Sequence, residues 1–346
     1  MERQVEKMLK KSLLILTAVI LLTACGKNNS EEKTTQTVSE PSMETQTEAK
    51  TEVSTKTNMN NNTEAATGTD IERSTEESTQ LKLEETAQED EITSEKISLD
   101  PSWKYAEYSE IHSGSATLYR HNDNFGNGVT VCINAGHGTK GGESVKTLCH
   151  PDGSPKVTGG TTSSGATKSY AISSGMMFPD GTSEAEATLS LAMLLKDKLL
   201  ESGYNILMIR EDDDAQLDNI ARTVLANNMA DCHIALHYDY TENDKGVFYL
   251  SVPEYRSYRE MEPVKSHWKE HHALGDAVIY GMKTEGVNIF SDGQMEMDLT
   301  QTSFSTIPSI DLEVGDAGSD ISDKAQMRLA EGVLKGLNRF YKKGAE

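Results

Sequence analysis

Four side chains, spread over about 180 residues, have the types that metal-assisted hydrolysis requires. His137 lies in Asn134-Ala135-Gly136-His137-Gly138, Glu184 in Ser183-Glu184-Ala185-Glu186, and His237 in Ala235-Leu236-His237. Each offers one metal-ligating atom. Two imidazoles and one carboxylate form a ligand set of catalytic zinc sites, which keep a fourth position open for water. Glu313, in Pro308-Ser309-Ile310-Asp311-Leu312-Glu313-Val314-Gly315, supplies a further carboxylate. A glutamate beside such a water is the usual general base. Singly, each of these residues also reads as an ordinary strand or loop residue. Their order and the elements that carry them give the combination its meaning.

Strand and helix signals alternate from about residue 99 onward, the signature of an α/β sheet. Val129 to Ala135 is a β-branched run that ends at the Gly-His-Gly turn. Ser183 to Ser202 reads as a helix, with Leu191, Leu195 and Leu199 on one line and Gly203 closing it. Tyr204 to Ile209 reads as a strand. Leu217, Ile220, Ala221, Val224 and Leu225 follow the spacing of an amphipathic helix. Cys232 to Leu236, Gly246 to Val252 and Ile307 to Val314 read as strands. Val264 to Met282 and a segment marked by Leu329, Val333, Leu334, Leu337 and Phe340 read as helices. The segment 103–128, with Ala116 to Tyr119 at its centre, is expected to add an edge strand.

The expected fold is therefore a single α/β domain over 99–346, a twisted and mostly parallel sheet flanked by helices on both faces. In open sheets of this kind, sites form outside the carboxyl ends of the strands. His137 follows one strand, His237 ends another, and Glu313 lies near the end of a third. Glu184 opens the long helix. Ser183 with Glu186 fits a capping box, which gives Glu186 a structural task and leaves Glu184 free to bind metal.

From about 129 to 341 the chain resembles the zinc-dependent N-acetylmuramoyl-L-alanine amidases of bacterial cell-wall turnover. The matching residues are Gly136-His137-Gly138, Glu184, Gly203, Arg210, Arg222 with Ala226-Asn227, His237, and Pro308 through Glu313 to Gly315. The resemblance implies zinc held by His137, Glu184 and His237, with Glu313 as the catalytic carboxylate. It also implies hydrolysis of the amide between N-acetylmuramic acid and L-alanine in peptidoglycan. The sequence departs from the family pattern in places. Asn134-Ala135 replaces Asp-Pro, Tyr238-Asp239 replaces a small Ala-Asn pair, and Asp311 stands where an apolar residue is expected. Gly-, Ser- and Thr-rich residues 139–182 are an insertion between the first two ligands, either a substrate-facing flap or a surface loop. Arg210 and Arg222 read as structural.

The N-terminal quarter carries location rather than chemistry. Lys7, Lys10 and Lys11 precede an apolar stretch from Leu13 to Leu22, and Leu22-Thr23-Ala24-Cys25-Gly26 follows. Residues 1–24 thus read as a lipoprotein signal peptide, with Cys25 as the lipidated residue. The bland alternative is an ordinary signal peptide with a chance cysteine. Residues 25–98 read as a disordered acidic linker, dominated by Thr, Ser and Glu. Over 26–100, 18 acidic residues stand against 7 basic ones, half of the chain's net charge of −22. That charge argues against nucleic acid as a partner. The expected partners are peptidoglycan and, through the anchor, the membrane, with an activator protein left open. The expected location is outside the cell membrane, facing the wall.

Three other signals compete. His267-Trp268-Lys269-Glu270-His271 matches the inverted zinc-protease motif, so a metalloprotease is one alternative. A non-hydrolytic peptidoglycan-binding lipoprotein is another, although such a binder has no use for the ligand set. Cys132 and Cys232 each precede a ligand histidine by five residues, and read either as a bonded pair or as two small buried hydrophobes.

Overall fold

The computed structural model describes residues 92–122 and 125–342. The signal and lipidation readings, including Cys25, fall outside them, as does most of the linker. The strands are β1 (Thr93–Ser98), β2 (Ser115–Arg120), β3 (Thr130–Ala135), β4 (Lys146–Leu148), β5 (Lys168–Tyr170), β6 (Asn205–Met208), β7 (Cys232–Asp239), β8 (Val247–Ser251), β9 (Ile289–Glu296) and β10 (Ser309–Asp316). The helices are α1 (Glu184–Glu201), α2 (Asn219–Met229), α3 (Arg256–Arg259), α4 (Val264–Thr284), α5 (Thr300–Phe304) and α6 (Asp323–Lys342). None of the described helices is long and apolar enough to cross a membrane.

Eight strands form one sheet in the order β1-β2-β6-β3-β7-β10-β8-β9. Its centre, β6-β3-β7-β10, is parallel, and β8-β9 is parallel too. β1-β2, β2-β6 and β10-β8 are antiparallel. The chain leaves β3 for β6 on one side, then crosses back to β7 on the other, so the sheet order reverses at β3. That reversal opens a crevice at the carboxyl ends of β3 and β7.

Strand alternation gives the two faces different chemistry. Ile133, Ile234, Leu236, Ile310, Leu312 and Val314 turn to one face and bury against α1, α4 and α6 in the main apolar core. Their neighbours turn the other way, where α2 and α5 pack. On that second face, apolar residues such as Leu118, Leu207 and Leu225 form a smaller core. Toward the carboxyl ends of β7 and β10 it becomes polar.

Two expectations need correction. Ordered structure begins before residue 99, because Thr93–Ser98 pairs along its whole length with β2. A polar strand suffices at an edge, where backbone pairing does most of the work and charges such as Glu95 and Lys96 discourage further pairing. Ile97 alone packs against the core beneath. In consequence β2, around Ala116 to Tyr119, is one place in from the edge. Of the two readings of the cysteines, that of two small buried hydrophobes in adjacent strands holds, since they sit one residue out of register, Val131 opposite Cys232 and Cys132 opposite His233. They therefore point to opposite faces, each buried in a different core, and both are free.

The insertion is neither loose nor structureless. β4 and β5 form a two-stranded antiparallel sheet, preceded by a short helical turn over Gly142–Ser144. Asp298, fully buried just before α5, ties this segment to the body. It bonds His150 Nε2 at 3.1 Å and Lys156 Nζ at 3.1 Å, and accepts from the backbone N–H of Val157 at 2.7 Å and of Thr158 at 3.1 Å. β9 and α5 have no clear sequence signal, since β9 is half-exposed and alternates poorly.

Candidate active site

The Gly-His-Gly turn is held by two buried arginines. Arg222, 1% exposed, reaches across from α2. It donates to the carbonyls of Ala135 at 3.1 Å and His137 at 2.6 Å, and to Asn134 Oδ1 at 3.0 Å. Arg210, at the end of β6, donates to Ala135 O, Gly136 O and Ala185 O at 2.7 to 3.0 Å. The Ala135, Gly136 and His137 carbonyls lie at and just beyond the end of a parallel strand, where a buried guanidinium with several donors satisfies them, and Arg210 also ties the turn to the first turn of α1 through Ala185 O. Burial lowers both guanidinium pKa values, Arg210 to about 10 and Arg222 to about 9. Both remain cations near neutral pH.

The turn aims His137 at the site. Its backbone is left-handed, φ 62°, which costs a non-glycine residue about 1–2 kcal/mol. The residue before it must be glycine, because a Cβ on Gly136 would lie 2.4 Å from the His237 ring. His137 Nδ1 donates to the carbonyl of Ser173 at 2.8 Å, which fixes the tautomer and leaves Nε2 facing inward.

Glu184 enters from the start of α1. Ser183 caps the helix, accepting from the Glu186 N–H, while the Glu186 carboxylate accepts from the Ser183 N–H at 2.8 Å. Glu186 is thus committed to the cap, and Glu184, 3% exposed, turns to the two histidines. Its Oε1 lies 2.8 Å from His137 Nε2 and 3.1 Å from His237 Nδ1, and those two nitrogens are 3.0 Å apart. The backbone N–H of Met176 donates to Oε2 at 2.9 Å and that of Tyr238 to Oε1 at 3.0 Å. Burial favours the neutral acid, but the two imidazoles beside it more than offset this and hold Glu184 well below the usual carboxylate range.

Among the described residues, His137, Glu184 and His237 are the group whose donor atoms converge as metal ligands do, all within 4.8 Å of one another. Tetrahedral zinc with bonds of about 2.0–2.2 Å sets its ligand atoms roughly 3.3–3.6 Å apart, so the triangle is slightly tighter than the ion would make it. His137 and Glu184 are buried and His237 is partly exposed; with both imidazoles neutral, as metal ligands are, the set carries one negative charge. It fits a zinc-type ion.

Asp311 and Glu313 share the polar face of β10, and both line the same cleft. Asp311 Oδ2 is 3.8 Å from His237 Nε2. Asp311 Oδ1 and Glu313 Oε2 have no hydrogen-bond partner among the described residues. Burial, and then the adjacent Asp311 carboxylate, push Glu313 up to about 8. A carboxyl poised there exchanges protons readily near neutral pH.

The cleft around these groups holds about 760 Å³. The insertion builds one wall through Lys156, Gly159, Gly160 and Thr161, while Asp239 ends β7 and Tyr240 and Lys245 follow it. The insertion also supports the ligands directly, through Ser173 O and Met176 N. Gly175 passes so close that a Cβ there would lie 2.8 Å from Glu184 Oε2 and from the His137 ring. Sequence reasoning missed these backbone partners, since a carbonyl or N–H carries no side-chain signature. The competing histidine motif is not gathered. His267 pairs on the surface with Glu270, and buried His271 accepts from the Ser309 N–H.

The sequence pattern of the Amidase_3 family, N-acetylmuramoyl-L-alanine amidase, matches residues 131–339, which contain all of these groups. The chain belongs to this amidase family. A solved relative of like fold is the N-acetylmuramyl-L-alanine amidase Ami1 from Mycobacterium smegmatis. It is 16% identical, with a TM-score of 0.50 over 63% of this chain and 98% of that one. The apo form of Ami1 from Mycobacterium abscessus is 17% identical, with a TM-score of 0.49 over 62% of this chain and 99% of that one. At 16% identity the likeness to the Mycobacterium smegmatis protein is one of fold. No curated protein sequence matches the chain.

Proposed function

We propose that this member of the amidase family is a zinc-dependent hydrolase of the amide between N-acetylmuramic acid and L-alanine in peptidoglycan, with Glu313 as its acid–base residue. The observation that carries the reading is the convergence of His137 Nε2, Glu184 Oε1 and His237 Nδ1 beside an unpartnered Glu313 oxygen. A zinc ion held by those three atoms would supply Lewis acidity toward the lactyl carbonyl and the attacking water. Glu313 takes the proton from that water and delivers it to the nitrogen of the leaving L-alanine. Its raised proton affinity suits a group that must accept and then donate. The arginine-held turn and the Ser173 carbonyl keep the His137 ring from swinging away during the cycle.

As part of the same proposal, the enzyme sits on the outer side of the cell membrane, anchored through a lipidated Cys25, with peptidoglycan as its substrate. The full-length chain with Cys25→Ser should leave the membrane fraction, because stable anchoring needs more than one acyl chain. A variant that stays membrane-bound after signal cleavage contradicts the lipid anchor.

The central test is zinc content together with release of new L-alanine amino groups from purified peptidoglycan. About one zinc per chain and steady amine release support the proposal. Binding of peptidoglycan without amine release would make the chain a non-hydrolytic wall-binding protein.

A further inference from the structure

Four tyrosine or phenylalanine rings line the active cleft: Tyr170, Tyr238, Tyr240 and Phe248. Three are already engaged. The Lys146 ammonium sits over Tyr170, 3.3 Å from its centroid. Tyr238 is buried edge-on against Phe178 at 5.1 Å. Phe248 is buried against Phe290, with Lys245 over its ring at 4.7 Å. Tyr240 differs from all three. It is 80% exposed, and no cationic or aromatic side chain covers its ring among the described residues.

The ring projects from a fixed base. The Tyr240 N–H donates to Asp239 Oδ1 at 2.7 Å, and Asp239 is paired with Lys245. The Ala317 N–H donates to the carbonyls of Asp239 and Thr241, so the backbone is clamped on both sides of the tyrosine. The Asp316 carboxylate accepts from Thr241 Oγ1 and from the N–H groups of Asn243, Asp244 and Lys245. A ring carried on a backbone clamped in this way can be covered with little cost in backbone freedom.

Its surroundings favour one kind of occupant. The charges of Asp239 and Lys245 are spent on each other, and the next charged residues along the loop, exposed Glu242 and Asp244, are both carboxylates. A pyranose has the complementary surface, a face of C–H groups with hydroxyls at its rim. A stem peptide beyond L-alanine carries carboxylates, which these acidic side chains repel. Tyr240 also follows His237 by three residues, which limits its backbone to roughly 10 Å from the ligand's. That span reaches the sugar that bears the scissile amide or the next one along the strand.

We propose that Tyr240 is a stacking platform for a pyranose ring of the glycan strand, on the sugar side of the scissile bond. This specificity role rests on the amidase reading above. It predicts an enzyme that recognises the glycan as well as the bond it cuts.

The full-length chain is compared with Tyr240→Phe and Tyr240→Ala, using two substrates and one ligand. The substrates are a disaccharide–peptide muropeptide and a sugar-free lactyl-peptide, and the ligand is peptide-free glycan. Tyr240→Ala should raise KM for the muropeptide about three- to tenfold with kcat little changed, as loss of one stacked ring predicts. It should leave KM for the sugar-free substrate unchanged and weaken glycan binding in step. Tyr240→Phe should behave as wild type in all three, since the face and not the hydroxyl is used. Unchanged KM and glycan binding in Tyr240→Ala, with wild type active, would overturn the platform and leave the amidase reading standing. An equal rise in KM for the sugar-free substrate would also overturn it, by assigning the ring to the peptide. A wild-type chain that releases no amine would instead sink the amidase reading, and glycan binding alone would then decide the role of Tyr240.

Discussion

Glu313 stands directly opposite His237 in the parallel pairing of β10 with β7. The two side chains share the polar face of the sheet, so the acid–base group and the third ligand are neighbours by strand register. A slip of one residue would turn Glu313 into the apolar core and bring Val314 or Leu312 to the site. The geometry is thereby tied to the packing of Ile310, Leu312 and Val314 on the other face.

Glu313→Gln should separate base from ligand. It preserves size but cannot take a proton, so muropeptide hydrolysis should fall by roughly 100-fold or more. Zinc content and the melting curve should match wild type. Zinc loss with activity retained would instead make Glu313 a ligand.

Glu184 and Glu186 lie two residues apart yet should behave oppositely. Glu184→Ala removes a buried ligand oxygen and should abolish tight zinc binding. Glu186→Ala removes only the exposed half of a capping box and should retain zinc, with a slight drop in melting temperature. Metal analysis of the two purified variants checks this, and the reverse outcome would exchange their roles.

Asp311 should set the acidic limb of the pH–rate profile. Glu313 works as a base only when ionised, so activity is lost as pH falls through its pKa. Burial and the Asp311 charge both raise that pKa. Asp311→Asn removes the charge, lowers the Glu313 pKa and should move the acidic limb to lower pH. A limb that does not move, with zinc content intact, removes Asp311 from the proton chemistry.

Asp298 should govern how firmly the insertion is docked. Burial opposes its charge, but His150, Thr158 and Lys156 more than offset this and hold the carboxyl well below its usual range. A folded pKa below the unfolded one gives stability that is complete above about 3.9 and fades as pH falls through the folded value. Asp298→Ala strands the Lys156 ammonium in a buried place and should cost about 3 kcal/mol near neutral pH. The gap from wild type should narrow below roughly pH 3. Urea denaturation at both pH values measures it, and a pH-independent gap would show that packing, not charge, is lost.

The chain's local order was legible in the sequence because local rules set it. The β-branched run before Gly136, the Ser183–Glu186 capping box and the leucine line of α1 are each decided within a few residues. Together with the four motif strings they define an α/β domain and the residues available for chemistry. Tertiary structure decided what depends on register and on partners far along the chain. It turned Cys132 and Cys232 to opposite faces, since a one-residue offset between paired strands reverses the side-chain direction. It docked the insertion on Asp298, some 140 residues away, and set Ser173 O and Met176 N behind the ligands. It also left Tyr240 bare at the cleft mouth while covering the other three aromatic rings. No composition or spacing signals these outcomes, because each is a pairing between surfaces that meet only when the sheet is complete.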